Sequence, residues 1–280
     1  MSQFTVRQLL GTDTIGIRDV ACSGACRHAT DEECSQATSL VFPYRGVFVR
    51  HVGRSEAVAE ANQILFFNKG ESYRVSHPVE SGDACLSLAV EEAMLAELAP
   101  PGELVPGGAL SFRRQRRRID PRAQVLVALL RHSLVQRAAE PLEAETLALT
   151  LIRRALGERT SQPAGATQGR QKIVDRTKLI LASDPARRWT LAEVAAEAGV
   201  SPVYLTQLFR QVEGVPLYRY QLRLRLARAL DLIGDYDDLT MLGLDLGFSS
   251  HSHFTAAFRQ SYGRSPAEFR RSVRPGGADR

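Results

Sequence analysis

Cys22, Cys26, His28 and Cys34 lie close together near the start of the chain, and three thiols with an imidazole can close a tetrahedral zinc site. Their spacing is irregular, however, and the neighbouring Asp31-Glu32-Glu33 marks a turn or an exposed segment. Separate or redox-sensitive thiols are therefore the preferred reading, with no metal and no other cofactor expected. A different chemistry is offered by Val203, Thr206, Gln207 and Arg210. If Leu205, Leu208 and Phe209 face inward on a helix, these four face outward together. A glutamine amide can pair with adenine N6 and N7, methyl groups can pack on thymine, and a guanidinium near the helix end can hold phosphate.

Side chains with that task must be presented by a helix narrow enough to enter a groove, and the surrounding sequence supplies one twice. The first unit runs from Leu191 through Gly199 to Gly214, and the second from Leu239 through Gly247 to Gly263. Phe209-Arg210-Gln211 is answered by Phe258-Arg259-Gln260. Each unit reads as helix, glycine turn and second helix, the pattern of a helix-turn-helix. Thr190 and Glu193 have capping-box spacing, and Ser201-Pro202 places a serine N-cap before a first-turn proline. In the second unit Asp238 stands for Thr190, and Ser249 or Ser250 for Ser201; Ser265-Pro266 opens a last short helix. The uninterrupted helix formers from Leu217 to Ile233 make a rigid spacer, with Leu217, Tyr220, Leu224 and Ala227 on one face.

Charge is distributed to match. The chain has 280 residues and a formal net charge of +5; residues 168–280 hold 17 Lys+Arg against 12 Asp+Glu, and the remainder is balanced at 19 of each. Such a bias favours a polyanionic partner such as double-stranded DNA, because each neutralised phosphate releases counterions, with a solvated basic surface as the alternative that charge alone leaves open. A hydrophobic content of 44% supports packed cores and the length suggests two domains. The N-terminus lacks a secretory core and no run reaches the ~20 apolar residues of a membrane span, so a cytoplasmic protein with no membrane partner is expected.

The segment Leu246-Gly247-Phe248-Ser249-Ser250-His251-Ser252-His253-Phe254-Thr255-Ala256-Ala257-Phe258-Arg259, continued by Tyr262-Gly263-Arg264-Ser265-Pro266-Ala267-Glu268-Phe269-Arg270, resembles the signature of the AraC/XylS family of bacterial transcription regulators. The resemblance extends back over the first unit. It implies a seven-helix DNA-binding domain, an N-terminal domain that senses a small-molecule effector or dimerises, and contact with RNA polymerase. Activation is the commoner sign among such regulators. The DNA-facing candidates are Ser201, Pro202, Val203, Thr206, Gln207 and Arg210 in the first unit. Their counterparts are Ser250, His251, Ser252, Thr255, Ala256 and Arg259. Many relatives carry arginine where Ala256 stands, so weaker base discrimination is expected of the second unit. His251 and His253, two apart on a helix, are wrongly spaced for a shared metal.

The N-terminal half is expected to be a small β-barrel with accessory helices. Strand-like runs occur at 40–42, 47–49, 64–67, 73–75 and 86–90. Ala61 to Tyr73 resembles the second motif of the cupin barrel, with Asn68 in place of its proline and Tyr73 in place of its metal-binding histidine. That argues against the family's metal site and against the alternative of a cupin-type metalloenzyme fused to a DNA-binding domain. No catalytic residue is assigned. Phe48, Arg50, Phe66, Tyr73, Arg74 and His77 are candidates for an effector pocket, though alternation leaves their facing open. Arg113-Arg114-Gln115-Arg116-Arg117-Arg118 reads as a solvated face. Amphipathic helices over 122–139 and 142–156 either cover the barrel or form a homodimer interface. Together these readings give an α+β multidomain chain: a cupin-like sensing or dimerisation domain over 1–160, a small polar linker over 161–169, and an all-α domain with two helix-turn-helix units over 170–273.

Overall fold

The computed structural model describes residues 4–24, 29–105, 110–157 and 167–274, and the chain divides into two compact units, 1–160 with 271–280, and 161–270. The first unit carries the strands. These are β1 (Phe4–Gly11), β2 (Ile15–Cys22), β3 (Glu33–Cys34), β4 (Ser39–Arg45), β5 (Phe48–Val52), β6 (Ser55–Ala59), β7 (Gln63–Phe67), β8 (Ser72–Ser76) and β9 (Asp83–Val90). After α1 (Glu92–Leu98) come β10 (Arg116–Arg118), α2 (Pro121–Val135) and α3 (Pro141–Leu156). One sheet has the order β1-β2-β9-β4-β7-β10 and the second β3-β8-β5-β6, an antiparallel double-sheeted barrel.

The centre of the larger sheet is buried on both sides, which is why β4, β7 and β9 read as near-continuous apolar runs rather than alternating ones. Leu40, Phe42, Ile64, Phe66, Leu86 and Leu88 face one core, which α2 and α3 complete with Leu130, Leu134, Leu151 and Ile152. The opposite face turns Val41, Leu65, Phe67 and Cys85 toward Phe48 and Ala59 of the other sheet. The apolar stripes of α2 and α3 thus cover the barrel. Asp120 caps α2 by accepting from Ala123 N at 2.9 Å, and Pro121 fills the first helical position.

The barrel is larger than the sequence suggested. The β1–β2 hairpin was not expected, because β1 is an exposed edge with no alternating pattern. The reading of residues 113–118 as a solvated face holds for Arg113 and Arg114, which are exposed, and is corrected for Arg117, which is buried in β10 and donates to the carbonyls of Leu156 and Gly157, both at 2.6 Å. Its guanidinium caps the C-terminal end of α3, where carbonyls are left without helical partners.

The second unit is helical: α4 (Gln168–Ser183), α5 (Leu191–Ala198), α6 (Pro202–Glu213), α7 (Leu217–Leu232), α8 (Leu239–Asp245), α9 (His251–Tyr262) and most of α10 (Pro266–Val273). Most of the expected linker lies outside the described residues, but its last two positions, Gln168 and Gly169, belong to the first turn of α4. Tyr220, Leu224 and Ala227 are buried along α7 as the spacing predicts. Phe254, Phe258, Tyr262 and Phe269 make a chain of ring contacts that packs α9 against α10. Each such aromatic removes enough apolar surface from water to contribute about 1.5–3 kcal/mol.

Candidate nucleic-acid interface and barrel cavity

The two helix-turn-helix units are built by local rules that recur at matching positions. Thr190 accepts from Glu193 N at 3.2 Å while Glu193 Oε2 accepts from Thr190 N at 2.7 Å, so α5 begins in a full capping box. Ser201 accepts from Tyr204 N at 3.2 Å, and Ser250, rather than Ser249, accepts from His253 N at 3.1 Å. Asp238 caps α8 through Thr240 N at 2.7 Å. Gly214 and Gly263 end α6 and α9 in the left-handed conformation, with φ of 66° and 76°. Gly247, at φ 81°, is needed for a second reason: a Cβ there would overlap the carbonyl oxygen of Ala186.

In α6, Leu205, Leu208 and Phe209 are buried, and Phe209 meets Tyr220 of α7 edge-on at 5.1 Å. Beneath them Lys178 Nζ lies 2.6 Å from Glu213 Oε1, both side chains buried, which locks α4 to the end of α6. Ser201, Pro202, Val203, Thr206, Gln207 and Arg210 are exposed together on the other side. Val203 is 67% exposed and Thr206 Oγ1 donates to its carbonyl at 2.8 Å. Tyr204, 40% exposed on the same helix, was missed by sequence reasoning; the signal was an aromatic side chain off the buried spacing of Leu205, Leu208 and Phe209.

In α9, Phe254, Ala257 and Phe258 are buried, while Ser250, His251, Ser252, Ala256 and Arg259 are exposed and Thr255 is half-buried. Thr255 Oγ1 and His251 Nε2 are 3.3 Å apart, one helical turn from each other. His253 packs on the edge of Phe248 at 5.4 Å and meets Ser249 Oγ through Nδ1 at 3.1 Å. Each unit thus offers an apolar underside and an outer face of short polar groups with one arginine toward its end. That surface can meet a phosphate-lined groove, the arginine neutralising phosphate and the polar groups reaching base edges.

Between the two sheets of the barrel lies a cavity of about 510 Å³, within the range of small-molecule sites. Phe48, Phe67, Tyr73, His77, Asp83 and Cys85 are among the residues that line it, with Arg18 and Glu33 adding charge. Of the sequence candidates, Phe48, Tyr73 and His77 line it, and Arg50, Phe66 and Arg74 are not among its lining residues. Phe66 points into the helix-covered core and stacks on Phe112 at 4.1 Å. Arg50 is fully buried between the Phe66 carbonyl at 2.8 Å and Glu71 Oε2 at 2.5 Å, with its guanidinium 4.1 Å from the Phe67 ring centroid.

Tyr73 donates to Glu33 at 2.8 Å; burial first, then that hydrogen bond, keeps its hydroxyl protonated well beyond its ordinary range. Burial, reinforced by Asp83 and Asp19, likewise raises the Cys85 thiol, so it is poorly placed for thiolate chemistry. In the thiol-imidazole cluster considered from sequence, Cys22 ends β2 in a buried position and Cys34 is exposed in β3. Cys26 and His28 lie outside the described residues.

A model of a helix-turn-helix domain matches residues 194–272. The probable transcriptional regulator LumQ of Photobacterium leiognathi is 25% identical over 240 residues, covering 82% of this chain and 91% of that protein. The HTH-type transcriptional activator RhaR of Klebsiella pneumoniae subsp. pneumoniae is 30% identical over 158 residues, and the match covers 54% of this chain and 55% of RhaR. A putative AraC-like transcription regulator of Streptomyces antibioticus is 26% identical over 194 residues, covering 66% of this chain and 60% of its own length.

Proposed function

Because the chain is a DNA-binding transcriptional regulator of the AraC family, we propose that α6 and α9 are its two base-facing helices and that they enter successive major grooves on one face of double-stranded DNA. The observation that carries this reading is the repeated arrangement of a serine-capped helix with a buried aromatic underside and an exposed polar face. Gln207 reads an adenine, Val203 and Thr206 meet thymine methyls, and Arg210 and Arg259 hold phosphates. Ser201, Pro202 and Ser250 bring the helix starts against the backbone. His251, Ser252, Thr255 and Ala256 supply a shorter, less discriminating face.

The barrel cavity is the seat of a small-molecule effector, supported by its size and by the mixed polar and apolar lining around Tyr73 and His77. The reading continues to a homodimer joined through the outer surfaces of α2 and α3, where Leu142 is exposed, and to contact with RNA polymerase. It places the protein in the cytoplasm, assigns it no catalytic step, and uses 161–169 as the joint between a sensing domain and a reading domain. Among the described residues no helix is long and apolar enough to cross a membrane.

Footprinting of the full chain on a site selected from randomised DNA tests the arrangement. Two protected segments about one helical turn, ~34 Å, apart are expected per protomer, with affinity falling steeply as salt rises. A single short protected patch, or binding indifferent to salt, would overturn it.

A further inference from the structure

Cys22 and Asp83 are direct cross-strand partners in the antiparallel β2–β9 pair, so their side chains leave the sheet side by side on one face. His77, in the connection between β8 and β9, comes down onto the same spot. One ligand atom from each of the three residues lies within 4.8 Å of the other two, and all three residues are buried. His77 Nδ1 is 2.5 Å from Asp83 Oδ2, while its Nε2 is buried and has no hydrogen-bond partner. Phe4 stands edge-on to the imidazole at 5.1 Å and Phe48 tilts against it at 6.4 Å, which fixes the ring and keeps its surroundings apolar.

A buried imidazole nitrogen with nothing to bond costs free energy that a purely structural histidine would avoid. A thiol, an imidazole and a carboxylate, with one ligand atom of each within 4.8 Å of the other two, are the donor types a borderline-soft cation prefers. We propose that Cys22, His77 and Asp83 bind one divalent transition-metal ion of the zinc class. Three protein donors leave a fourth tetrahedral position. His77 and Asp83 both line the barrel cavity, so that position opens on it and is filled by water or by a donor atom from a molecule bound there. The site uses neither position of the cupin-like segment, Asn68 or Tyr73, and it differs from the Cys22, Cys26, His28 and Cys34 set that sequence spacing suggested. It goes beyond the effector reading and does not depend on it.

Cobalt titration of the full chain, reduced and stripped of metal with chelator, is the test. One ion per chain is expected, with the visible bands of four-coordinate cobalt and a near-ultraviolet thiolate-to-cobalt band that zinc bleaches. Cys22→Ser should abolish the thiolate band and His77→Gln should weaken binding by at least about tenfold, the scale on which losing even a supporting contact of a metal ligand is felt. Cys26→Ser and Cys34→Ser should change neither. X-ray absorption of the zinc-loaded wild-type chain needs no variant to fold: one sulfur and three nitrogen or oxygen scatterers are expected. Absence of a thiolate band in the wild-type chain overturns the proposal, as do two or more sulfurs around zinc, survival of the band in Cys22→Ser, or its loss in Cys26→Ser or Cys34→Ser.

Discussion

Arg225 Nη1 donates to the carbonyl of Gly247 at 3.1 Å, while Nε and Nη2 of the same guanidinium reach the carbonyls of Pro185 and Arg187 at 2.7 and 2.9 Å. One side chain of α7 therefore ties the segment that enters the first helix-turn-helix to the turn of the second. The close fit of Gly247 against Ala186 is held at that same junction. The rigidity expected of α7 as a spacer is not all that fixes α6 relative to α9; the Arg225 guanidinium adds a second tie.

Replacing Arg225 with Met should accordingly loosen the placement of α6 relative to α9. Loss of a charged multi-carbonyl donor should cost about 2 kcal/mol of domain stability, and Lys, a single point of charge, should restore little of it. Urea denaturation checks the stability. Footprinting should show the two protected segments weakening together or separating, whereas a variant that melts and binds as the parent does would deny Arg225 this role.

Gln207→Ala should relax preference at one base pair, since a bidentate amide contact is worth about 1–3 kcal/mol of discrimination. Arg210→Ala should instead weaken all sequences alike and lower the salt slope by about one. At α9, Ala256→Arg should raise affinity broadly and add a preference for guanine, because Ala256 is exposed and a long cationic donor there reaches the groove. Site selection on randomised DNA for each variant separates these outcomes. If changes in α9 erase more sequence information than Gln207→Ala, the dominance assigned to α6 is wrong.

Much of the helical frame of this candidate interface was legible because helix ends carry strong local chemistry. Thr190, Glu193, Ser201 and Gly214 act within a turn or two of their own position, so their types and spacing suffice to place α5 and α6. The barrel was legible only in part. Phe66 and Phe67 look equivalent in sequence, and because the centre of the larger sheet is covered on both faces no polar alternation tells which of them meets the cavity. The grouping of Cys22 with His77 and Asp83 depends on β2 pairing with β9 across most of the domain, and no local spacing encodes that register. Arg117 misled for a related reason: an arginine run reads as solvated unless the end of a distant helix, here α3, is known to need donors.

The capping box of α5 should make stability depend on acid. Glu193 is held at a pKa of about 2, below its ordinary 4.5, by the Thr190 hydroxyl first, then the Thr190 backbone N–H and Arg187. A carboxylate depressed in the folded state contributes stabilisation that is whole above its unfolded pKa and is lost as pH falls from about 4.5 through about 2. Melting temperatures of the parent chain and of Glu193→Gln should therefore differ most near neutrality and converge toward pH ~2. A constant difference across that window would show that Glu193 acts by shape alone.

The ion pair under α6 gives the sharpest prediction about what holds that helix in place. Lys178 and Glu213 are both buried at 2.6 Å, and Lys178 also sits 5.8 Å from the Tyr220 ring centroid. Glu213→Ala leaves an ammonium group in the core without its carboxylate, a change that typically costs about 3–5 kcal/mol. Replacing both residues together, as Lys178→Met with Glu213→Leu, removes the charge along with its partner and should cost much less, because two desolvation penalties disappear with the attraction. Chemical denaturation of the single and double variants measures the difference. If the pair matters only for stability, the double variant will also bind DNA as the parent does; if it sets the angle of α6, affinity for the selected site will fall while the fold persists. Equal stability loss in the single and double variants would mean that packing around Tyr220, and not the charge pair, carries the energy.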